Sequence, residues 1–460
     1  MLTYTLNDTD GPKYLQLSKL IKADVESGKL KADDRLPSKR TFARNSGVST
    51  ITVQNAYDQL ISEGYVTAVE KKGYYVSSFR KPLKTAPVIE STDLPEPDLP
   101  DLSGNRMREE SFPFSIWSKL LRETLSTDRD KLLSPIRAEG VPELRKAIAG
   151  HLSSFRGMSV SPSQIVIGAG TEYLYSLLIQ LLGRELVYAI EDPGYGKLSR
   201  IYAANAIKYT KVPLDEKGLS AERLCSSGAD VAHISPNHHF PTGITMPLER
   251  RYELLAWAAA KETRFIIEDD YDSEFRISKS PVPTMYSLDG SGSVIYMNTF
   301  SKSLASSIRI SYMVLPETLG DTFRRELSFY ASTVPSFEQY TLSRFISEGY
   351  FEKHINRMRL YYIRQRQAVI DEILMSPLKD RCTIIENSAG LHFILSINTE
   401  KSDEAIKSAL LNEGIRITSL SDYSSIKDSH KFIINYSNLD MKILRKALII
   451  ISEIILLASA

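Results

Sequence analysis

The sequence predicts a multidomain protein: a small, mostly α N-terminal unit that ends in a β-hairpin, followed by a larger α/β unit. Three observations carry this. The chain has 460 residues, more than one hydrophobic core normally serves. Arg80–Pro100 holds Pro82, Pro87, Pro95, Pro97 and Pro100 with little apolar periodicity, the signature of a semi-rigid spacer. Short helical stripes precede this segment, and apolar runs alternating with helical stretches follow it. The expected division is 1–78, a linker at 79–100, and 101–460, the last with a large part to about 335 and a small C-terminal part from about 336.

In the first unit, Pro12–Glu26 places Leu15, Leu17, Leu20, Ile21 and Val25 near one helical face. Leu36-Pro37-Ser38 opens a second helix, with Ser38 as its N-cap. Gly47-Val48-Ser49 forms a turn. Ser49 caps a third helix that runs through Glu63, and Gly64 closes it. Tyr65–Val69, Glu70–Gly73 and Tyr74–Val76 read as strand, turn and strand. The second and third helices together predict a helix-turn-helix, whose last helix enters a major groove. Residues 1–78 carry eleven Lys/Arg against nine Asp/Glu, so net charge alone says little. Arg35–Tyr57, however, holds Arg35, Lys39, Arg40 and Arg44 with no acid, a local excess suited to phosphates.

Beyond the linker, Ile165–Ile167 reads as a strand. Gly168-Ala169-Gly170-Thr171 and the apolar helix Glu172–Leu182 follow. A glycine turn before a helix presents N–H groups and a positive dipole end to an anion, which makes Gly170 and Thr171 candidate phosphate ligands. The strand Leu186–Ile190 leads into Glu191-Asp192-Pro193-Gly194-Tyr195. Arg264–Asp270, Val294–Thr299 and Lys431–Tyr436 read as further strands. The apolar tail Ala447–Ala460 is interrupted by Glu453 and falls short of the ~20 residues a membrane span needs. It reads as a helix packed on the domain.

Hydrophobic residues at 42% and charged residues at 25% place the chain among ordinary soluble proteins. Cys225 and Cys382 give neither metal-ligand spacing nor a disulfide framework, as expected in a reducing cytosol. The N-terminus has no basic region followed by an apolar one, so no secretion signal is expected. The expected location is cytoplasmic, with no membrane association and no metal site.

The chemistry concentrates around one lysine. Lys302 lies in Thr-Phe-Ser-Lys-Ser-Leu-Ala-Ser-Ser-Ile-Arg, and Asp269, in Phe-Ile-Ile-Glu-Asp-Asp-Tyr-Asp, lies 33 residues upstream. Pyridoxal phosphate (PLP) makes three demands. It needs a lysine to form a Schiff base with its aldehyde, a carboxylate to keep its ring nitrogen protonated, and a cation with hydroxyls for its phosphate. Lys302, Asp269, and Arg309 with Thr299 answer them in turn, at the strand ends where α/β proteins place ligands. A lone Ser-Lys pair would carry no such meaning.

These motifs carry a family resemblance. Residues from about 100 to 460 resemble fold-type I PLP enzymes of the aminotransferase family. Residues 1–78 resemble the winged helix-turn-helix of GntR-type transcription factors, through Leu-Pro-Ser-Lys-Arg, Gly-Val-Ser and Leu-Ile-Ser-Glu-Gly-Tyr. Both halves in this order resemble the MocR subfamily of bacterial regulators. The resemblance implies contacts to double-stranded operator DNA from Ser38, Arg40, Arg44, Ser49, Thr52 and Lys72, and a homodimer. It also implies that Tyr195 stacks on the cofactor ring and that Tyr271 bonds the ring's 3-hydroxyl. Ser301 joins the cofactor-binding set.

Two departures stand out. Thr50 occupies a place where the family often has an arginine, so a bidentate contact to guanine is lost there. Asn438 and Lys197 stand where amino-acid-sensing members have arginines, and an amide gives no charged clamp for a carboxylate. Arg416 is another arginine available to such a role. The aminotransferase asparagine has no clean counterpart in Ser235-Pro236-Asn237-His238-His239-Phe240-Pro241-Thr242-Gly243, and His238 or Asn237 is expected to line the pocket instead. Three readings follow: a regulator that senses PLP and controls vitamin B6 supply, the same architecture sensing an amino acid or amine through the cofactor, and a working aminotransferase. The first is favoured and assigns no catalytic residue.

Overall fold

The structure is a computed structural model that describes residues 2–7, 11–78, 99–104, 111–127, 129–275, 282–385 and 390–456. The chain divides into two compact units, Met1–Glu96 and Pro97–Ala460. Most of the expected linker, residues 79–98, lies outside the described residues.

The first unit packs α1 (Lys13–Glu26), α2 (Lys39–Ser46) and α3 (Thr50–Ser62) with a three-stranded antiparallel sheet. The sheet order is β1-β3-β2, where β1 is Arg35–Leu36, β2 is Val66–Val69 and β3 is Gly73–Val76. Leu17, Ile21, Phe42, Val53, Tyr57 and Leu60 form its fully buried centre. Ser38 and Ser49 cap α2 and α3, as the sequence predicts. Gly47 and Gly64 take φ of 65° and 79° just past the two helices, a conformation that glycine adopts without strain. Strand β1 was not expected. Two residues carry no periodicity, and Pro37 holds Leu36 extended, while the helix starts at Lys39, directly after its expected cap Ser38.

In the second unit an eight-stranded sheet runs β4-β11-β10-β9-β8-β5-β6-β7. Its strands are β4 (Ile165–Gly168), β5 (Tyr188–Asp192), β6 (Tyr209–Asp215), β7 (Gly218–Leu219), β8 (Val231–Ile234), β9 (Phe265–Asp269), β10 (Val294–Thr299) and β11 (Ser311–Val314). Strands β10, β9, β8, β5 and β6 are parallel. Their central members are buried nearly throughout, which is why they read as apolar runs rather than alternating ones. The helix Tyr350–Met375 leads to a small antiparallel sheet of order β12-β13-β15-β14: β12 (Cys382–Ile385), β13 (His392–Ile397), β14 (Thr418–Ser419) and β15 (Lys431–Asn435). The helix expected over 447–460 starts earlier, as Met441–Leu456, and buries Leu444, Ala447, Leu448 and Ile451; residues 457–460 lie outside the described residues. No described helix is long and apolar enough to cross a membrane.

Candidate cofactor cavity and nucleic-acid interface

A cavity of about 340 Å³ opens at the ends of β9 and β10 and reaches the small sheet, within the usual size of a cofactor site. Lys302, Asp269, Tyr271, Thr299, Ser301, Arg309, Tyr195 and Thr171 all line it. The two parallel strands end side by side, with Met297 paired to Asp269, and this register brings two distant motifs together.

Asp269 is held from behind. The Tyr175 hydroxyl donates to its Oδ2 at 2.5 Å. His233 Nε2 lies 3.7 Å from the same oxygen, and the other nitrogen of that ring is 2.6 Å from the Tyr202 hydroxyl. Asp269 Oδ1 is buried with no partner among the described residues. A buried carboxylate oxygen left unpaired is costly, and a protonated ring nitrogen is a donor that satisfies it.

Lys302 follows β10 on a single helical turn, Phe300–Ser303. Burial pushes its ammonium below the ordinary lysine range, against the opposing pull of Asp272 and Asp269, and this favours the nucleophilic neutral amine. At the phosphate end, the Ser301 hydroxyl is buried and has no partner among the described residues. Thr299 Oγ1 accepts from the Ser301 N–H at 3.1 Å. Gly170, at φ 93°, lies so close to Arg309 that a Cβ there would come within 2.2 Å of the guanidinium. Arg309 itself sits at φ 51°, a strained conformation of the kind functional sites retain. Its guanidinium pairs with Glu172, whose other oxygen lies 3.4 Å from Lys197. Orphaned acceptor, half-buried lysine and hydroxyl–guanidinium cradle together fit PLP.

Tyr195 is 39% exposed at the cavity, so it is not a core tyrosine. Lys197 also lines the cavity.

Two effector expectations need correction. Asn438 is not in this cavity. It lines a separate one of about 380 Å³ with Arg416 and Asp101. The small-sheet residues that do reach the cofactor cavity are Asn435 and His392, paired across β15 and β13. Asn435 ends its strand, and its Oδ1 accepts from the N–H and hydroxyl of Ser437 at 2.9 and 2.7 Å. That turn redirects the chain and carries Asn438 away. His238 also does not line the cavity. It packs behind Tyr271, against Asp272. Asn237 is buried between Arg251 and Glu268.

Sequence reasoning missed Tyr175, His392 and Ser103, which also lines the cavity. Tyr175 stands one turn beyond Thr171 on the helix Thr171–Leu182, so helical spacing was a usable signal. Ser103 and His392 had none.

In the first unit, Arg40 and Arg44 are exposed and lie one turn apart on α2, with no partner among the described residues. Lys72 is exposed in the turn between β2 and β3. Ser38 and Ser49 accept the Thr41 and Thr52 N–H at 3.2 and 3.1 Å. Thr52 Oγ1 also lies 2.9 Å from Ser49 Oγ, so Thr52 is engaged in the cap and half-buried. The side chains that stand clear of α3 near its start are Thr50, Ile51 (70% exposed) and Asn55.

The bacterial gntR regulatory family matches residues 13–76, and aminotransferase class I and II matches residues 99–451. The HTH-type transcriptional regulator YdeL of Bacillus subtilis is 34% identical over 423 residues, covering 90% of this chain and 91% of its own. The probable rhizopine catabolism regulatory protein MocR of Rhizobium meliloti is 32% identical over 466 residues, covering 96% and 93%. The chain belongs to the MocR subfamily of GntR-type transcriptional regulators. This regulator is also 29% identical to the pyridoxine biosynthesis regulator PdxR of Corynebacterium glutamicum, over 89% and 88% of the two chains. Its second unit shares the fold of Pyrococcus horikoshii kynurenine aminotransferase, at TM-score 0.68 and 23% identity over 79% of this chain and 92% of that one. The expected architecture, a winged helix-turn-helix ahead of a fold-type I aminotransferase-like unit, is the one observed.

Proposed function

We propose that this regulator holds PLP on Lys302, answers to PLP itself, and binds operator DNA through residues 1–78 without turning over a substrate. Bound PLP supplies an electrophilic aldehyde and a cationic ring. Lys302 provides the amine, Asp269 holds the ring nitrogen's proton, Tyr271 donates to the 3-oxygen and Tyr195 covers the ring. Arg309, Ser301, Thr299, Thr171 and the Gly170 backbone hold the phosphate.

The observation that carries the choice of effector is the charge of the cavity wall. Apart from Lys302, its cations among the described residues are Arg309 and Lys197, both paired with Glu172. The small-sheet wall offers the Asn435 amide and His392, whose imidazole burial pushes down to about 3 and keeps neutral. A carboxylate clamp needs a guanidinium there. The likeness to PdxR, named for pyridoxine biosynthesis, supports control of vitamin B6 genes. Lys197 is the one feature that favours the second reading, a sensor of an amino acid or amine, because releasing Glu172 would give it a free charge.

A cytoplasmic homodimer completes the proposal. A DNA-binding role requires access to the chromosome, and a two-fold dimer suits paired half-sites. Exposed Leu133 (85%) and Phe329 (76%) are apolar surface that a second copy would cover.

The test is a spectroscopic titration of the PLP-loaded protein with a panel of amino acids and amines. An unchanged visible band supports PLP as the signal. Saturable conversion of the band at micromolar ligand, with altered DNA binding, would promote the amino-acid sensor.

A further inference from the structure

We infer that Asp272 and His238 are positioning residues that aim the Tyr271 hydroxyl proton into the cofactor cavity. This rests on the cofactor reading above, in which Tyr271 donates to the ring 3-oxygen.

The geometry is a three-member chain. Asp272 Oδ2 lies 2.8 Å from His238 Nδ1. A carboxylate oxygen accepts, so the ring nitrogen facing it carries the proton. The Tyr271 hydroxyl lies 3.2 Å from that same nitrogen. A protonated nitrogen cannot accept the phenol proton, which is left to point toward the cavity that Tyr271 lines. With the proton on Nε2 instead, Nδ1 would accept from Tyr271 and draw the phenol away from the cofactor.

Two further contacts fix the ring. Gly390, at φ 77°, lies flat against it: a Cβ at that position would fall 1.7 Å from His238 Cε1. His392 packs on the ring at 4.9 Å between centroids. His238 Nε2 is buried with no partner among the described residues, so none of them stabilises a proton there. His238 and Asp272 are 3% and 4% exposed, which makes the pair a built feature rather than a surface contact.

The surrounding charges matter to any test. Asp272, Asp269, Asp270 and Glu191 all bear on Tyr271. Asp272, Asp269 and Lys197 bear on Lys302, while His239 and His392 face His238. Removing Asp272 therefore has two effects on the pH at which bound PLP changes colour. Loss of its charge beside Lys302 lowers that pH. Loss of an aimed donor on the 3-oxygen, which stabilises that oxygen's negative charge, raises it.

A double-mutant cycle separates the two. The pH midpoint of the visible absorbance change is measured for full-length PLP-loaded protein, Asp272→Asn, Tyr271→Phe and the double variant. The inference predicts that Asp272→Asn moves the midpoint about one pH unit further upward in the parent than in the Tyr271→Phe background, the size of one hydrogen bond to a charged group. Equal shifts in both backgrounds would overturn it, since a merely structural or electrostatic role does not pass through the phenol. If Asp272→Asn unfolds by circular dichroism, His238→Gln replaces it in the same cycle with the same criterion. A parent protein that shows no visible band defeats the cofactor reading itself, a different failure from equal shifts.

Discussion

The Tyr175 hydroxyl donates to Asp269 Oδ2 at 2.5 Å and leaves Oδ1 buried, with no partner among the described residues. One oxygen of the carboxylate is thus anchored, and the other is held toward the cavity. Burial and the Asp269 charge push the Tyr175 phenol well above its ordinary range, so it stays a donor at all relevant pH.

From this, Asp269→Asn is expected to weaken PLP binding about 10- to 100-fold, the value of a charge-assisted hydrogen bond of ~1.5–3 kcal/mol. Tyr175→Phe removes only the anchor and should cost about threefold to tenfold, or ~1 kcal/mol. Equilibrium titration with PLP checks both. Parent-like affinity in Asp269→Asn would remove this carboxylate from the site.

Lys302→Ala should lose the visible band of bound pyridoxal and the borohydride-fixed adduct while keeping the parent's circular dichroism. A band that survives in this variant assigns the linkage to another lysine.

Glu191 predicts a pH effect on stability. Burial pushes its carboxyl from 4.5 up to about 8. Between those values the folded state keeps a proton that the unfolded state has lost. Its contribution is therefore complete below about pH 4.5 and is lost as pH rises through 8. Glu191→Gln keeps the acceptor for the Ser235 N–H, a 3.0 Å contact, and removes the titration. Between pH 5.5 and 8.5 the parent's Tm should fall relative to the variant's, by an amount corresponding to about 1.4 kcal/mol per pH unit crossed. Parallel Tm curves would show that Glu191 is ionised throughout.

On the DNA side, Arg40→Ala should weaken binding to all sequences and lower the salt slope by about one. Ile51→Ala and Asn55→Ala should instead change sequence preference, since both stand clear of α3. An exposed apolar side chain suits a thymine methyl, and an amide suits adenine. Selection from a random DNA library, with parent and variants, reads this directly. Unchanged preference in both variants would move base reading elsewhere.

The parts legible in the sequence were those with short-range signals. Capped helices, the hairpin, apolar parallel strands and the Asp269–Lys302 pair all announce themselves within a few residues. Where the chain turns after a strand is set by local hydrogen bonds instead. That is why Asn435, fixed by Ser437, faces the cavity where Asn438 was expected. Tyr175, His392 and Ser103 come to the site from a helix, a strand and an arm far apart in sequence. Only the tertiary fold brings them together. His238 stood in a recognisable motif, but its place behind Tyr271 depends on Asp272 and Gly390, which no spacing rule links to it.

The most direct test measures the affinity of the full-length chain for a DNA fragment selected from a random library, across a PLP titration and with no amine present. Parent protein should change its DNA affinity with PLP, Lys302→Ala should respond weakly or not at all, and adding amino acids should change nothing further. DNA affinity indifferent to PLP in the parent, but shifted once an amino acid or amine is added, would contradict the account.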